Sequence, residues 1–197
     1  MNKEFRNIFN DVWKDLVRGS VDKKHPYQRA VVGTVGGGVS NLRTIVLRNA
    51  DSEIHRLFFH TDQRSAKVSD LLDNPILSWL FYHPKRQIQL RISSEIKIHL
   101  EDETSKYFWD KGSTNSLKGY TGPYAPGTLL INYSHNVKEG LLDKTPERHE
   151  IESGYKNFTI IEALVTEIEY LRLGRNGHKR IEFSLKNREW VACWVAP

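Results

Sequence analysis

The chain has 197 residues, of which 39% are hydrophobic and 27% charged. This length and composition are typical of a globular protein, and we expect a single domain over residues 1–197. No apolar run reaches the roughly 20 residues that a membrane span needs, and the polar residues 1–6 do not start a signal peptide, so we expect a cytoplasmic protein with no membrane partner. The net charge of +5 comes from scattered lysines and arginines, which favours a small anionic ligand over nucleic acid.

The first third of the chain predicts one helix followed by three strands. Residues 30–35, 42–47 and 56–61 predict strands, and no Lys-Ser or Lys-Thr pair follows the glycines at 36–38, so we expect a hairpin turn there rather than a phosphate loop. Before the strands, apolar residues at helical spacing predict an amphipathic helix that ends at Gly19: Phe5, Ile8, Phe9, Val12, Trp13 and Leu16.

The middle of the chain contains the clearest strand pattern. Residues 65–73 predict a helix, and the apolar residues 76–82 predict a buried strand. Over residues 87–100, the even positions are mostly apolar and the odd positions mostly polar, which predicts one long strand, or two strands joined at Ser93-Ser94, with one buried face. By this alternation we expect Leu100 in the core and His99 toward solvent.

The next segment predicts a helix and then a long irregular loop. A helix over residues 101–111 puts Tyr107 and Lys111 on one face, four residues apart. Residues 112–144 are rich in Gly, Pro, Ser, Asn and Tyr and lack periodicity, as in a lid or a binding loop. Thr145, followed by proline, predicts the cap of a further helix.

The C-terminal part predicts three strands, and the whole chain predicts a mainly β fold. Residues 158–173, which contain one break of alternation and hence a bulge, are followed by strands over residues 180–185 and 190–195. The single cysteine, Cys193, lies in an apolar run and is expected to be a small buried side chain. About eight short strands with three or four helices favour a small closed β-barrel with flanking helices.

The segment 60–67, with the sequence His-Thr-Asp-Gln-Arg-Ser-Ala-Lys, joins a predicted strand to a predicted helix. The first N–H groups of a helix and the positive end of its dipole bind phosphate well. Arg43 joins this segment if the preceding strand pairs with strand 56–61; the alternative is a capped helix with surface charges. The side chains that would surround a phosphate are two hydroxyls and three cations: Thr61, Ser65, Arg43, Arg64 and Lys67.

Several positions, taken together, resemble the FMN-binding core of the pyridoxamine 5'-phosphate oxidase family. Their order and spacing agree with that family over most of the chain, and the pattern Thr-Asp-x-Arg-Ser-x-Lys is similar to an oxidase-related branch. The resemblance implies a split β-barrel that forms a homodimer with FMN at the subunit interface. The positions that carry it are residues 43–48 (Arg-Thr-Ile-Val-Leu-Arg), 59–62, 65–67, 86–87, 178–180, 190 and 196–197.

The same resemblance assigns residues to the cofactor. Arg43 and Lys67 would hold the FMN phosphate with Thr61 and Ser65, whereas residues 44–47 would line the ribityl chain and the ring. Gln87 would hydrogen-bond the flavin, and Arg180 would approach the ring from the second subunit. The cofactor-binding set is therefore Arg43, Thr44, Ile45, Val46, Leu47, His60, Thr61, Arg64, Ser65, Lys67, Gln87 and Arg180.

The substrate side departs from the family pattern. Arg175 and His178 are the expected catalytic residues, but Arg175 stands one position early. Lys111 stands where the family has an arginine, and a lysine cannot form the bidentate hydrogen bonds that a guanidinium makes to phosphate. The residues expected to bind a phosphorylated substrate are Arg48, Tyr107, Lys111 and Ser116.

The resemblance implies an FMN-dependent oxidase that removes a hydride from pyridoxamine or pyridoxine 5'-phosphate, with O2 reoxidising the flavin. Two alternatives stay open: a flavin-binding protein of another role, and a split barrel that binds haem or a deazaflavin. The chain has no His-Glu-x-x-His motif, no paired cysteines and no Gly-x-Ser-x-Gly elbow, so we expect no metal site and no hydrolase triad.

Overall fold

The computed structural model describes all residues 1–197, which form nine strands, five α-helices and three 3-10 turns. The helices are α1 (Lys3–Val21), α2 (Ala66–Asp73), α3 (Glu103–Lys111), α4 (Thr114–Leu117) and α5 (Arg148–Ile151). The strands are β1 (Arg29–Gly36), β2 (Val39–Val46), β3 (Asn49–Asp51), β4 (Arg56–Asp62), β5 (Ile76–His83), β6 (Ile88–Leu100), β7 (Phe158–Arg172), β8 (Lys179–Lys186) and β9 (Glu189–Val195). None of the five helices has the length and apolar composition needed to cross a membrane.

All nine strands belong to one antiparallel sheet. Its order is β2-β1-β5-β6-β7-β4-β3, with β8 paired to β7 and β9 paired to β8. β2 contacts β4 without pairing to it, and the residues after β2 cross this gap. The N–H of Leu47 donates to the carbonyl of Gln28 at 2.9 Å, and the N–H of Arg48 donates to that of Phe58 at 2.8 Å. The sheet therefore closes into a split barrel with a seam between β2 and β4.

The glycines at 36–38 form the predicted hairpin turn. Gly36 pairs with Val39, which leaves Gly37 and Gly38 as a two-residue loop. Their φ angles are 59° and 78°, in the left-handed region that glycine adopts without a Cβ penalty. The run is therefore a tight turn of the β1–β2 hairpin and not a phosphate loop.

The predicted bulge lies in the long β6–β7 pair. Ser93 pairs with Glu167 but Ser94 pairs with Val165, so Thr166 is an extra residue in β7. A bulge reverses the alternation of the strand that contains it. The core-facing residues of β7 are therefore odd-numbered before the bulge and even-numbered after it: Ile161, Ala163 and Val165, then Ile168 and Tyr170.

The main hydrophobic core fills the barrel and is covered by α1. The apolar face predicted for this helix packs inward, and Leu16 is completely buried. Gly19 does not end the helix but lies inside it, against Tyr27, where a Cβ would approach the Tyr27 Cβ to 2.8 Å. Asn2 caps the helix by accepting the N–H of Phe5 at 2.9 Å.

A second, smaller core lies on the opposite face of the sheet. It packs beneath α3 and α4, and it corrects the expectation for the end of β6. His99 is 2% exposed because this second core covers it, whereas Leu100 is 39% exposed. Alternation alone identifies two faces of a strand, but it does not tell which one a distant segment covers. The second core consists of Phe58, Trp109, Leu117, Leu141, Ile151, Phe158 and Ile160.

His99 is the centre of a polar network beside this second core. Its Nδ1 lies 2.6 Å from a carboxylate oxygen of Asp102, and its Nε2 lies 2.7 Å from one of Glu162. The other oxygen of Glu162 accepts a hydrogen bond from Arg56. Asp102 also caps α3 by accepting the Ser105 N–H at 2.8 Å. The network therefore joins β4, β6, β7 and the start of α3.

Three further expectations from the sequence are wrong in detail. Thr145 is not a helix cap: α5 starts after Glu147, whose carboxylate forms a capping box with Glu150, and the preceding proline stays outside the helix. Cys193 is exposed, because β9 is the last strand beyond β8 and nothing in the chain covers this side chain. The strand count is nine because the short β3, which the sequence did not indicate, pairs with β4.

Candidate functional site

The seam between β2 and β4 opens into a cleft of about 420 Å³, which we call the seam cleft. It combines four cations with polar groups and contains no carboxylate in its lining. Clefts of this size suit small ligands, and an excess of positive charge suits an anion. The lining residues are Arg29, Arg43, Thr44, Ile45, Val46, Arg48, His60, Thr61 and Lys67.

Lys67 converges with two hydroxyls at the start of α2. Its Nζ donates to Thr61 Oγ1 at 2.9 Å and to Ser65 Oγ at 3.0 Å. Burial, together with the positive charge of Arg43, lowers the pKa of the Lys67 ammonium. A partly desolvated cation gains more from an anionic partner than an exposed one does.

The start of α2 is open to an anion. Ser65 is the N-cap residue, but its hydroxyl donates to the carbonyl of Asp62 at 2.7 Å and does not cap the helix. The first N–H groups of α2 consequently have no side-chain acceptor. These N–H groups, the ammonium and the Thr61 hydroxyl together are a donor set that fits a phosphate.

Arg43 reaches this site across the seam, and polar groups behind it hold its position. β2 does not pair with β4, so the strand pairing expected for Arg43 is absent, but barrel closure still brings it toward Lys67. Its guanidinium donates to Thr34 Oγ1 at 2.6 Å and lies 3.8 Å from the Asp70 carboxylate. The same carboxylate accepts from Thr34 at 2.6 Å and from Asn41 at 3.2 Å.

Gly36 gives Asp70 the space that this arrangement requires. A Cβ at Gly36 would lie 2.7 Å from Cγ of Asp70 and would overlap its carboxylate. We expect Gly36→Ala to lower the free energy of unfolding by about 1 kcal/mol or more, because the carboxylate must move away from its partners. Urea denaturation measures this change.

Two further variants test the cause. In Gly36→Ala/Asp70→Ala the overlap is gone, so the combined loss should be smaller than the sum of the single losses. Gly119→Ala is the matched control, since no atom lies within 4 Å of its Cβ position. Additive losses would show that the contact between Gly36 and Asp70 has no energetic role.

His60 forms the wall of the seam cleft that faces the second core. Burial, and to a lesser extent the positive charge of Arg48, lowers its pKa to about 3. The imidazole is therefore neutral at neutral pH. Its ring contacts those of Phe108 and Phe158, with centroid distances of 5.5 and 4.9 Å.

Arg64 and Leu47, both expected at the cofactor, do not line the seam cleft. The Arg64 guanidinium binds the Asp62 carboxylate, with Nε and NH2 at 3.0 and 2.7 Å, and also donates to the carbonyl of Gly122. It thus joins β4 to the long loop and does not line the seam cleft. Leu47 is completely buried in the main core, so its side chain does not line the cleft either.

The predicted catalytic residues belong to a second region, at the turn between β5 and β6 and the link between β7 and β8. Here a cleft of about 510 Å³, which we call the turn cleft, contains five cations and no carboxylate. It shares no lining residue with the seam cleft. Its lining is Lys85, Arg86, Gln87, Arg172, Leu173, Gly174, Arg175, Asn176, Gly177 and Lys179.

His178 and Arg180 lie next to this turn cleft. The Nδ1 of His178 accepts the N–H of Gly174 at 3.3 Å, so a neutral imidazole carries its proton on Nε2 and presents a donor there. Arg180 is held by Glu169 at 2.5 Å and by the carbonyl of Ala196 at 3.3 Å. Within one chain, therefore, Gln87, Arg175 and their neighbours are separate from Lys67.

The residues expected for a substrate phosphate are also divided. Arg48 lines the seam cleft. Tyr107 and Lys111 contact each other on α3, with Lys111 Nζ 2.6 Å from the tyrosine hydroxyl. Ser116 is engaged with Ser113, to which it donates at the start of α4. The structure therefore brings one of these four residues into the seam cleft.

The sequence interpretation missed Arg29 and the groups behind Arg43. Arg29 starts β1 opposite Val46, and its position in the cleft depends on that register. Asp70 follows Lys67 by three residues and thus lies on the same side of α2, a spacing that could have suggested their proximity. No local signal links Asp70 to Thr34, which is 36 residues away.

Comparison with known proteins finds a family model and relatives that resemble this chain. Residues 10–100 match the family model described as pyridoxamine 5'-phosphate oxidase, FMN-binding domain. This match covers a little under half of the chain, which resembles that domain over these residues. A pyridoxine/pyridoxamine 5'-phosphate oxidase of Legionella pneumophila is 23% identical over 98% of this chain and 86% of the relative. The corresponding protein of Acinetobacter baumannii is 27% identical over 64% of this chain, and the match spans 57% of that relative.

Two solved structures share the fold of this chain. A pyridoxamine 5'-phosphate oxidase-related, FMN-binding protein from Nostoc punctiforme superposes with a TM-score of 0.75, at 20% identity over 95% of this chain and 96% of that one. PhzG from Burkholderia lata has a TM-score of 0.64, at 16% identity over 98% and 90% of the two chains. At these identities the likenesses show the fold alone, a split barrel.

Proposed function

We propose that this chain binds FMN with its phosphate at Lys67 and acts as an FMN-dependent oxidoreductase on a small phosphorylated substrate such as pyridoxamine or pyridoxine 5'-phosphate. The observation that carries the proposal is the convergence of Lys67 with Thr61 and Ser65 at the uncapped start of α2. Arg43 adds a second cation on the opposite side of the seam. A dianionic phosphate neutralises both.

The rest of the cofactor would extend along β2. Thr44, Ile45 and Val46 line the seam cleft beyond Arg43, which suits the ribityl chain and one face of the ring. When bound, FMN accepts a hydride and returns the electrons to O2. The role of the protein is to orient the substrate, to exclude water and to place charge.

We further propose a homodimer in which the seam cleft of one protomer faces the turn cleft of its partner. In one chain these clefts share no residue, although the resemblance assigns Lys67 and Arg180 to one cofactor. The second copy would bring Gln87, Arg175 and His178 to the ring. Arg48 would hold the substrate phosphate, and His178 would donate from Nε2 rather than accept a proton there.

A flavoprotein without pyridoxamine-phosphate oxidase activity is the second candidate. The observation that favours it is that the residues expected to bind the substrate phosphate on α3 and α4 are hydrogen-bonded to each other or to neighbours. Lys111 is hydrogen-bonded to Tyr107, and Ser116 to Ser113, so neither residue lies free at the seam cleft. In that case FMN would bind in the same way and only the substrate would differ.

Absorption spectroscopy and turnover assays distinguish the candidates. Protein incubated with FMN and then desalted should retain flavin bands in the visible blue, whereas a Soret band would identify haem. Hydrogen peroxide release with pyridoxamine or pyridoxine 5'-phosphate supports the oxidase, and bound flavin without turnover supports the second candidate. A folded protein that retains no FMN at high micromolar concentration would refute both.

A complementation experiment tests the shared site. Chains with Lys67→Ala or Arg180→Ala are expected to bind FMN weakly as separate homodimers. In a mixed dimer the intact seam cleft of one chain faces the intact turn cleft of the other, so one of the two sites recovers FMN. If each site lay within a single chain, mixing would restore nothing.

A further inference from the structure

A chamber separate from the seam cleft lies between α1 and the ends of β6 and β7. We call it the α1 chamber; its volume is about 360 Å³. Ile8 and Val12 of α1 form one wall, with Ile88 and the rings of Tyr27 and Tyr170 contributing the rest of the apolar lining. Small-molecule sites are often concavities of this kind, with an apolar lining and a few converging polar groups.

Two phenol hydroxyls in the α1 chamber have no partner in the chain. Tyr27 is 1% exposed and Tyr170 is 8% exposed, yet neither hydroxyl makes a hydrogen bond to another residue. The two hydroxyl oxygens open onto the chamber, so the hydrogen-bond partner that a tyrosine of low exposure normally has must come from a molecule inside it. Burial raises the pKa of both groups, so both stay protonated and donate an O–H.

The mouth of the chamber selects for charge. Arg86 is bound to Asp15, so these two groups neutralise each other. Lys85 and Arg172 have no carboxylate partner in the chain, whereas Asp11 is a single carboxylate without a cationic partner. The free charges therefore leave an excess of one positive charge, which suits a monoanion better than a phosphate dianion.

From these contacts we propose that the α1 chamber is a second ligand site, which takes a small aromatic monocarboxylate. The ring would pack on Ile8, Val12 and Ile88, the carboxylate would face Lys85 and Arg172, and an acceptor on the ligand would receive the tyrosine hydroxyls. Arg172 and Lys85 also line the turn cleft, so the carboxylate would lie where the two cavities meet. This proposal does not depend on FMN binding.

The test uses 1-naphthoate as the probe and 1-naphthylmethanol as its neutral match. In a 15N-edited NMR titration of the full chain, naphthoate should shift amides of α1 and of the end of β7, with a dissociation constant of about 1 mM or tighter, as expected for a ligand of this size. The alcohol should bind at least about threefold more weakly, because it lacks the charge that Lys85 and Arg172 recognise.

Variants decide which cavity the probe enters. Ile8→Trp fills the chamber and should abolish naphthoate binding, and the milder Tyr170→Phe should weaken it about two- to tenfold, the effect of one lost hydrogen bond. Both should retain FMN affinity, whereas Lys67→Ala should retain naphthoate affinity. The proposal is overturned if naphthoate causes no shifts at 10 times the expected constant, if both probes bind equally, or if Lys67→Ala rather than Ile8→Trp removes binding.

Discussion

Replacing Lys67 with alanine is expected to weaken FMN binding by tenfold or more. Charge-assisted hydrogen bonds to phosphate contribute roughly 1.5–3 kcal/mol each, and the variant also loses the group that orders Thr61 and Ser65. Arg43→Ala should act in the same direction. Quenching of flavin fluorescence on titration with the protein measures the affinity of each variant.

The control for Lys67→Ala is Lys14→Ala, which removes the same charge from the exposed face of α1. It should leave FMN affinity within about twofold, because exposed charges at a distance are screened by salt. Unchanged affinity in both Lys67→Ala and Arg43→Ala, with the proteins folded, would discredit the phosphate site.

The lowered pKa of Lys67 adds a dependence on pH. Because burial and Arg43 already favour the neutral amine, this lysine loses its proton at a lower pH than an exposed lysine does. FMN affinity should therefore decline as the pH rises through that lowered pKa. In Lys67→Arg, which keeps its charge, affinity should be flat over the same range.

Replacing His99 with alanine is expected to lower the free energy of unfolding by about 2 kcal/mol, because the buried carboxylate of Glu162 loses one of its two hydrogen-bond partners. In the variant Glu162, which is 8% exposed, would retain its hydrogen bond from Arg56 alone. Asp102 would retain the N–H of Ser105 that it accepts at the start of α3. Chemical denaturation followed by tryptophan fluorescence is suitable, since Trp109 lies in the adjacent core.

Two further variants show whether the stability lost in His99→Ala comes from the contacts of His99. His135→Ala, at an exposed histidine that contacts only Tyr133, should change stability by less than about 0.5 kcal/mol. His99→Ala/Glu162→Gln should recover part of the loss, because the side chain that has lost its histidine partner is then a neutral amide. If His99→Ala costs less than about 1 kcal/mol, the network does not hold α3 on the sheet.

The sequence predicted the parts of the fold that local patterns determine. The β1–β2 hairpin follows from two glycines flanked by strands, and α1 follows from apolar residues at helical spacing. The inversion at His99 and Leu100 could not be predicted, because it depends on α3 and the long loop packing over the outer face of β6. The alternation of a strand distinguishes its two faces, but it does not indicate which segments of the chain pack on each face.

The site was predictable only in part for the same reason. Lys67, Thr61 and Ser65 are close in sequence, and a strand–helix junction brings them together. Arg43 was expected there through strand pairing, yet it arrives through closure of the barrel, held by Asp70. Arg64 turns away because Asp62, two residues before it, offers a bidentate contact that charge patterns alone do not reveal.

The extra residue Thr166 separates β7 into two independent halves. The first half pairs with β4, which carries Thr61, and the second half pairs with β8 and presents Tyr170 to the α1 chamber. Removing Thr166 would let the two halves alternate without interruption, so Ile168 and Tyr170 would still face the core, but β7 would lose the bend that a bulge produces. A one-residue deletion at this point would therefore keep the strand pairing around both cavities and change the angle between them.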